Sequence, residues 1–304
     1  MARYVRVSTI SFGGAGGNPE GMVERNRESA LEWLRRAALD KPDIVCLPET
    51  FHALGLASKE WFESAEPVPG PTTEAVREVA WKNGMYVVCP IVERVDDKVY
   101  NSAVLIDREG EIVGRYHKVH PTIGEIECGI TPGVETPVFK TDFGNVGCAI
   151  CFDLNFTDVV AGLKANGAEL ILFPSMYRGG LQLSIWAFNC SVYIASAYTG
   201  EGSAIVNPLG RVLATSSLHN RIISKTINLD YRVLHIDYNN VHWDAIKLKH
   251  GADVEIEVAT PEAVFALFSN NRNLSVDDLI KEFGLETREE YFKRANRVRE
   301  KALL

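Results

Sequence analysis

Short apolar runs of strand length recur along most of this chain, separated in some places by tight turns and in others by helical patterns. Residues 99–106 and 111–119 flank a short turn, which predicts an antiparallel hairpin. Residues 43–48 and 85–95 are separated instead by a predicted helix over about 72–82. Because hairpins and β–α units alternate in one chain, we predict mixed β-sheets rather than a purely parallel sheet.

The pattern is continuous for most of the 304 residues. No linker or break in composition occurs before about residue 250, so we predict a single domain over 1–304. Residues 250–304 differ, because two capping-box patterns open short, charged helices with few apolar residues. We expect this C-terminal extension to pack on the body of the protein or on a partner subunit.

The charge balance excludes some classes of partner. Forty acidic and 32 basic residues give a net charge of −8, which disfavours nucleic acid and anionic membrane surfaces. No apolar stretch reaches the ~18–20 residues of a membrane helix, and Arg6 lies where a signal peptide has its apolar core. Six cysteines diluted over the chain are typical of free thiols in a reducing compartment, so we expect a soluble, cytoplasmic protein.

Two cofactor patterns are incomplete. After Gly14 and Gly16, a dinucleotide fingerprint would place its third glycine at the position of Pro19. Cys148 and Cys151 form a CxxC pair, but residues three apart in a strand point to opposite faces, and no second ligand pair follows. We therefore expect no metal and no organic cofactor, with a zinc-binding module as a minor alternative.

Three chemically distinct residues each follow an apolar run of strand length: Glu49, Lys118 and Cys151. Alone, a charged residue in this position is usually solvated, and a cysteine is usually a small buried hydrophobe. If the three strands are neighbours in a sheet, however, a base, a cation and a thiol would converge. Those are the groups that amide hydrolysis by a cysteine nucleophile needs.

These residues lie within longer motifs, and the motifs resemble those of the nitrilase, or carbon–nitrogen hydrolase, superfamily over roughly residues 4–230. Further matching segments lie between and after the three motifs, in the expected order. The three motifs are residues 46–50 (CLPET), 116–120 (YHKVH) and 147–153 (GCAICFD), and the further segments are 129–133, 172–175 and 202–210.

The resemblance implies an α/β fold, a four-layer α-β-β-α sandwich with two mixed β-sheets. It implies a catalytic triad of Glu49, Lys118 and Cys151 and a homodimer or larger homo-oligomer. Many family members carry a second glutamate after the lysine, and here both Glu125 and Glu127 compete for that place.

Residue chemistry then gives a mechanism. Glu49 acts as general base on the Cys151 thiol, whose pKa must be lowered for attack at neutral pH. The thiolate attacks an amide carbonyl, and the Lys118 ammonium and the Phe152 backbone N–H stabilise the oxyanion. Ammonia or an amine leaves, and water hydrolyses the thioester to release a carboxylic acid.

The substrate is less constrained. Nitrilases usually have Trp-Glu after the nucleophile, whereas this chain has Phe152-Asp153, which favours amide or carbamoyl substrates. Residues 154–156 carry no cation to bind a carboxylate, which favours a neutral or amine-bearing amide, although Arg178 in a later loop could supply one. The candidate pocket residues are Asn155, Met176, Tyr177 and Arg178. The alternatives are an N-acyltransferase using the same acyl-enzyme, a nitrilase, and a catalytically idle scaffold subunit.

Overall fold

The computed structural model describes residues 1–304, apart from the side chain of Ser58. The strands are β1 (Tyr4–Ile10), β2 (Ile44–Cys46), β3 (Tyr86–Val95), β4 (Lys98–Ile106), β5 (Ile112–His117), β6 (Val138–Lys140), β7 (Asn145–Cys148), β8 (Leu170–Ser175), β9 (Tyr193–Tyr198), β10 (Ala204–Val206), β11 (Val212–Thr215), β12 (Ile222–Asn228), β13 (Tyr231–His235), β14 (Val254–Ala259) and β15 (Val264–Ser269). The helices are α1 (Met22–Ala38), α2 (Ser58–Glu63), α3 (Pro71–Asn83), α4 (Ile123–Glu127), α5 (Thr157–Ala165), α6 (Leu181–Cys190), α7 (Trp243–His250), α8 (Val276–Phe283) and α9 (Arg288–Ala302).

The chain divides into two compact units, and residues 5–226 form the larger one. Its strands build two six-stranded sheets, with orders β12-β1-β2-β3-β4-β5 and β11-β10-β9-β8-β7-β6. In the first sheet β1, β2 and β3 are parallel, while β4 and β5 form the predicted antiparallel hairpin, with Ser102 opposite His117. In the second sheet β7, β8 and β9 are parallel, and the outer strands are antiparallel. The predicted mixed sheets are confirmed.

Helices complete the four-layer α-β-β-α sandwich. Helix α1 packs beside α3 on the first sheet, and α5 packs beside α6 on the second. The apolar face of α1, including Met22, Ala30 and Leu34, is buried. Ala30 and Leu34 join Val45 and Val87 of the sheet in one core, whose burial is the main source of stability.

Residues 1–4 and 227–304 form the second unit. It contains an antiparallel sheet of order β13-β15-β14, together with α7, α8 and α9. Its core includes Leu234, Phe265, Val276 and Leu279, so α8 contributes more apolar burial than its charged sequence suggested. The division falls near residue 227 rather than 250, and the prediction of one domain with a packing extension stays a prediction.

Candidate active site

Glu49, Lys118 and Cys151 each lie just beyond the carboxyl end of a strand. Glu49 follows β2, Lys118 follows β5, and Cys151 opens a 3₁₀ turn, Cys151–Asn155, after β7. The three strands are not neighbours in one sheet, the condition under which the sequence predicts convergence: β2 and β5 belong to the first sheet and β7 to the second. The side chains meet because the two sheets face each other, and all three are buried.

Lys118 lies between two carboxylates. Its Nζ is 2.8 Å from Glu49 Oε1, and 3.0 and 2.9 Å from Glu125 Oε1 and Oε2. Asn101 Nδ2 donates to the same two groups, at 2.8 Å to each Oε1. Burial alone would lower the pKa of Lys118, but Glu49 and Glu125 raise it above its usual value, so the side chain is an ammonium.

The second oxygen of Glu49 is the chemically available one. Among the described residues, the buried Glu49 Oε2 has no hydrogen-bond partner. Burial, and then the charge of Glu49, raise the pKa of the nearby Cys151 thiol to about 12, although Lys118 and the Met176 backbone act in the opposite direction. In the resting state the thiol is therefore protonated, contrary to the lowered pKa expected from sequence, and it interacts with the Glu49 side chain.

The turn that carries Cys151 is held by Asp153. Cys151 has φ 48°, in the left-handed region that non-glycine residues rarely adopt. Asp153 Oδ2 accepts from the Ile150 N–H and from the Tyr116 hydroxyl, both at 2.7 Å, and Oδ1 accepts from the His120 N–H at 2.8 Å. One buried carboxylate thus ties the nucleophile turn to the segment on both sides of Lys118.

We expect Asp153→Asn to destabilise the protein, and most strongly at low pH. Burial raises the pKa of Asp153 to about 6, above the ~3.9 of an unfolded chain, so its stabilising effect is complete below about pH 3.9 and is lost as pH rises through 6. That titration amounts to about 3 kcal/mol. Asparagine offers one acceptor oxygen to three donors, which costs about 1–3 kcal/mol.

Urea denaturation at pH 4.5, 5.5 and 7 measures both effects. The deficit of Asp153→Asn should shrink as pH rises, whereas Asp142→Asn, at an exposed partner of the permanently charged Arg108, should show no such trend. A deficit that is independent of pH would contradict the assignment.

The structure separates the two candidate second glutamates. The Thr122 hydroxyl accepts from the Glu125 N–H at 3.2 Å, and Glu125 Oε2 accepts from the Thr122 N–H at 2.7 Å. This capping box at the start of α4 turns the Glu125 carboxylate back towards Lys118. Glu127, two residues later, is exposed.

Glu125→Gln and Glu127→Gln form a matched pair. Glutamine cannot satisfy the Lys118, Asn101 and Thr122 donors together, so Glu125→Gln should lose charge-assisted hydrogen bonding of about 1.5–3 kcal/mol, or about 10–150-fold in kcat/KM. Glu127→Gln should stay within about twofold of the parent. Steady-state kinetics on one amide measure kcat/KM for both variants. Equal losses of kcat/KM in the two would contradict a special role for Glu125.

The predicted pocket residues have different surroundings. Tyr177 is half-buried and interacts electrostatically with Cys151; burial, and then that interaction, raise the pKa of Tyr177 to about 12. Asn155 is exposed and donates to the Phe152 carbonyl at 3.1 Å, while accepting at 3.0 Å from Gln182, a residue that sequence reasoning missed. Arg178 is exposed and forms an ion pair with Glu201 at 3.1 Å.

Met176 supplies backbone rather than side-chain chemistry. Its backbone interacts with the Cys151 thiol, while its half-buried side chain packs against the core of the first sheet.

Among the described residues, no group of three or more His, Cys, Asp or Glu side chains could hold a metal ion. No helix in the described part of the chain combines the length and apolar character needed to cross a membrane.

Known proteins share both the sequence pattern and the fold. A family model described as carbon–nitrogen hydrolase matches residues 15–233. The chain is 28% identical over 257 residues to omega-amidase NIT2 of Xenopus tropicalis, covering 76% of this chain and 91% of the relative. Human omega-amidase NIT2 is 28% identical over 230 residues, covering 67% and 83% of the two chains.

Two solved structures show the same fold at lower sequence identity. An amidase from Nesterenkonia sp. is 19% identical, with a TM-score of 0.65 over 73% of this chain and 90% of the amidase. Nit3 of Saccharomyces cerevisiae, described as a member of branch 10 of the nitrilase superfamily, is also 19% identical, with a TM-score of 0.66 over 82% and 95% of the two chains.

Proposed function

The chain belongs to the carbon–nitrogen hydrolase family, and we propose that it hydrolyses small amides through a thioester on Cys151. The observation that carries this proposal is a protonated, buried thiol that interacts with Glu49, a carboxylate with one oxygen bound to a fixed ammonium and the other without a hydrogen-bond partner among the described residues. The names of its relatives, which include omega-amidases and an amidase, support the same reaction class.

The reaction follows from the positions of these groups. Glu49 accepts the Cys151 proton as the sulfur bonds to the amide carbon, and the carbonyl oxygen becomes an oxyanion. The Lys118 ammonium and the Phe152 backbone N–H stabilise that charge, at about 3–4 kcal/mol per well-placed donor. Glu49 then gives its proton to the departing nitrogen, and the C–N bond breaks. Water, deprotonated by Glu49, cleaves the thioester to the acid and restores the thiol.

Charge favours a neutral or cationic substrate. Glu49, Glu125 and Lys118 together carry two negative formal charges and one positive, leaving one net negative charge in a buried site. The guanidinium of Arg178, the cation suggested for carboxylate binding, is already paired with Glu201. An amide that also carries a carboxylate would therefore meet like charge, which is costly at low dielectric.

Ammonia release from three amides of similar shape tests both parts of the proposal. Butyramide, β-alaninamide and succinamate place a methyl, an ammonium and a carboxylate at the same distance from the amide. At pH 7.5 we expect the first two to exceed succinamate by at least about tenfold in kcat/KM, or about 1.4 kcal/mol. A preference for succinamate would overturn the charge argument. Silence on these and on carbamoyl amines and nitriles, or amine conjugates formed in place of acid, would overturn hydrolysis.

A further inference from the structure

A buried amide, Asn101, joins the two carboxylates of the candidate site. It lies in β4 with none of its surface exposed, and its backbone carbonyl accepts from the Lys118 N–H at 2.9 Å. That contact continues the β4–β5 ladder by one residue and places Asn101 directly beside Lys118. Its side chain then reaches Glu49 and Glu125, at 2.8 Å to an oxygen of each.

The orientation of this amide is fixed by its surroundings. Both neighbours are carboxylate oxygens, which accept and do not donate when ionised, so the nitrogen of Asn101 must face them. Its two N–H groups match its two acceptors. The Oδ1 atom is buried and, among the described residues, has no hydrogen-bond partner. A buried polar atom without a partner is unfavourable. A residue that contains one is usually retained for a function, and in Asn101 the amide nitrogen is the group that makes the favourable contacts.

The amide nitrogen of Asn101 helps to fix the orientation of the Glu49 carboxylate. Glu49 Oε1 accepts from both Lys118 and Asn101, while Oε2 accepts from neither. The same Asn101 nitrogen lies between Glu49 and Glu125 and offsets the repulsion between two carboxylates that share one ammonium. Without it, Lys118 alone would hold that oxygen, and the plane of the Glu49 carboxylate could turn away from its present orientation.

We propose that Asn101 is a positioning residue, which holds the plane of the Glu49 carboxylate so that its second oxygen stays available to take the proton of Cys151. The role rests on the proposed function of Glu49 as the base. The hydrogen bonds of the Asn101 amide go to the two carboxylates, so it acts on the thiol through Glu49.

The test uses alkylation of Cys151 by iodoacetamide, which reports thiol deprotonation without requiring amide turnover. At pH 7.5 we expect Asn101→Leu to lower both the alkylation rate and kcat by about 10–100-fold, with KM within about threefold. Ser102→Ala, at the next buried position of the same strand, should leave both rates within about twofold. Alkylation that falls in Asn101→Leu while every amide is inert would contradict only the amidase proposal.

Two further measurements separate positioning from damage to the fold. In a Glu49→Gln background, Asn101→Leu should cost less than about threefold more, because the residue through which it acts is already lost. Asn101→Asp keeps the side-chain volume and can donate only when protonated, so its rate relative to Asn101→Leu should rise as pH falls from 8 to 5.5. Multiplicative losses in the double variant, unchanged alkylation in Asn101→Leu, or identical pH profiles for the two Asn101 variants would each overturn the proposal.

Discussion

Replacement of Cys151 by alanine should lower ammonia release by at least about 10⁴-fold, because the reaction then lacks the atom that forms the acyl-enzyme. Substitution by serine should be nearly as damaging. A hydroxyl is a much weaker acid than a thiol, and the same carboxylate would have to deprotonate it in the same buried site. Circular dichroism and urea denaturation should show both variants folded, since alanine and serine differ little from cysteine in volume.

Mass spectrometry extends this test to the identity of the nucleophile. In the parent, one equivalent of a chloroacetamide reagent should modify Cys151 and abolish activity together. Cys190→Ala, at the end of α6, is the matched thiol control and should keep activity within about twofold. Turnover that survives in Cys151→Ala, or inactivation that follows modification of another thiol, would remove Cys151 from the mechanism.

The positions of the three triad residues could be predicted from sequence, because each ends an apolar run. Their arrangement in space could not be predicted. Sequence periodicity marks strands but does not say which sheet a strand joins, so β2, β5 and β7 could not be distributed between two facing sheets. The shift in the pKa of Cys151 could not be predicted from sequence either. Its direction depends on the balance of burial and Glu49, which raise the pKa, against Lys118, which lowers it.

Asn101 was missed although the predicted hairpin contains the signal for it. Continuing the ladder of β4 and β5 one step beyond Ser102 and His117 places Asn101 opposite Lys118. A polar side chain in an otherwise apolar strand, directly across from a predicted catalytic lysine, is a testable pattern in a single sequence. The capping box formed by Thr122 and Glu125 would likewise have favoured Glu125 over Glu127.

The C-terminal sheet was missed for a different reason. Residues 254–258 read Val-Glu-Ile-Glu-Val, an alternation typical of a half-buried strand, and they form most of β14. The core around Phe265 depends on contacts between β15 and α8 that local sequence does not specify.

Glu49→Gln should lower kcat/KM by about 10²–10⁴-fold at pH 7.5, and two opposing effects set that value. Removal of the Glu49 charge favours the thiolate, because that charge raises the pKa of Cys151 while Lys118 lowers it. Removal of the carboxylate also takes away the proton acceptor. Burial is the largest cause of the raised thiol pKa and persists in the variant, so the thiol stays protonated at neutral pH and the loss of the base dominates.

The pH profile distinguishes this outcome from simple damage. With a thiol pKa of about 12, the alkylation rate of Cys151 in the parent should not rise tenfold per pH unit between pH 7 and 9, because Glu49 removes the proton during attack. In Glu49→Gln the proton must leave to solvent, so the residual alkylation rate of Cys151 should rise about tenfold per pH unit over the same range.

Glu66→Gln is the matched control, because it neutralises a different buried glutamate, which accepts from the Thr72 N–H and hydroxyl at 2.7 and 2.8 Å. It should lower the free energy of unfolding by about 1–3 kcal/mol and leave the pH profile of the parent unchanged. A steep profile in the parent would mean that a free thiolate, rather than a thiol deprotonated by Glu49, performs the attack. A flat profile in Glu49→Gln would mean that another group removes the proton, and the unpaired Oε2 would then have no catalytic role.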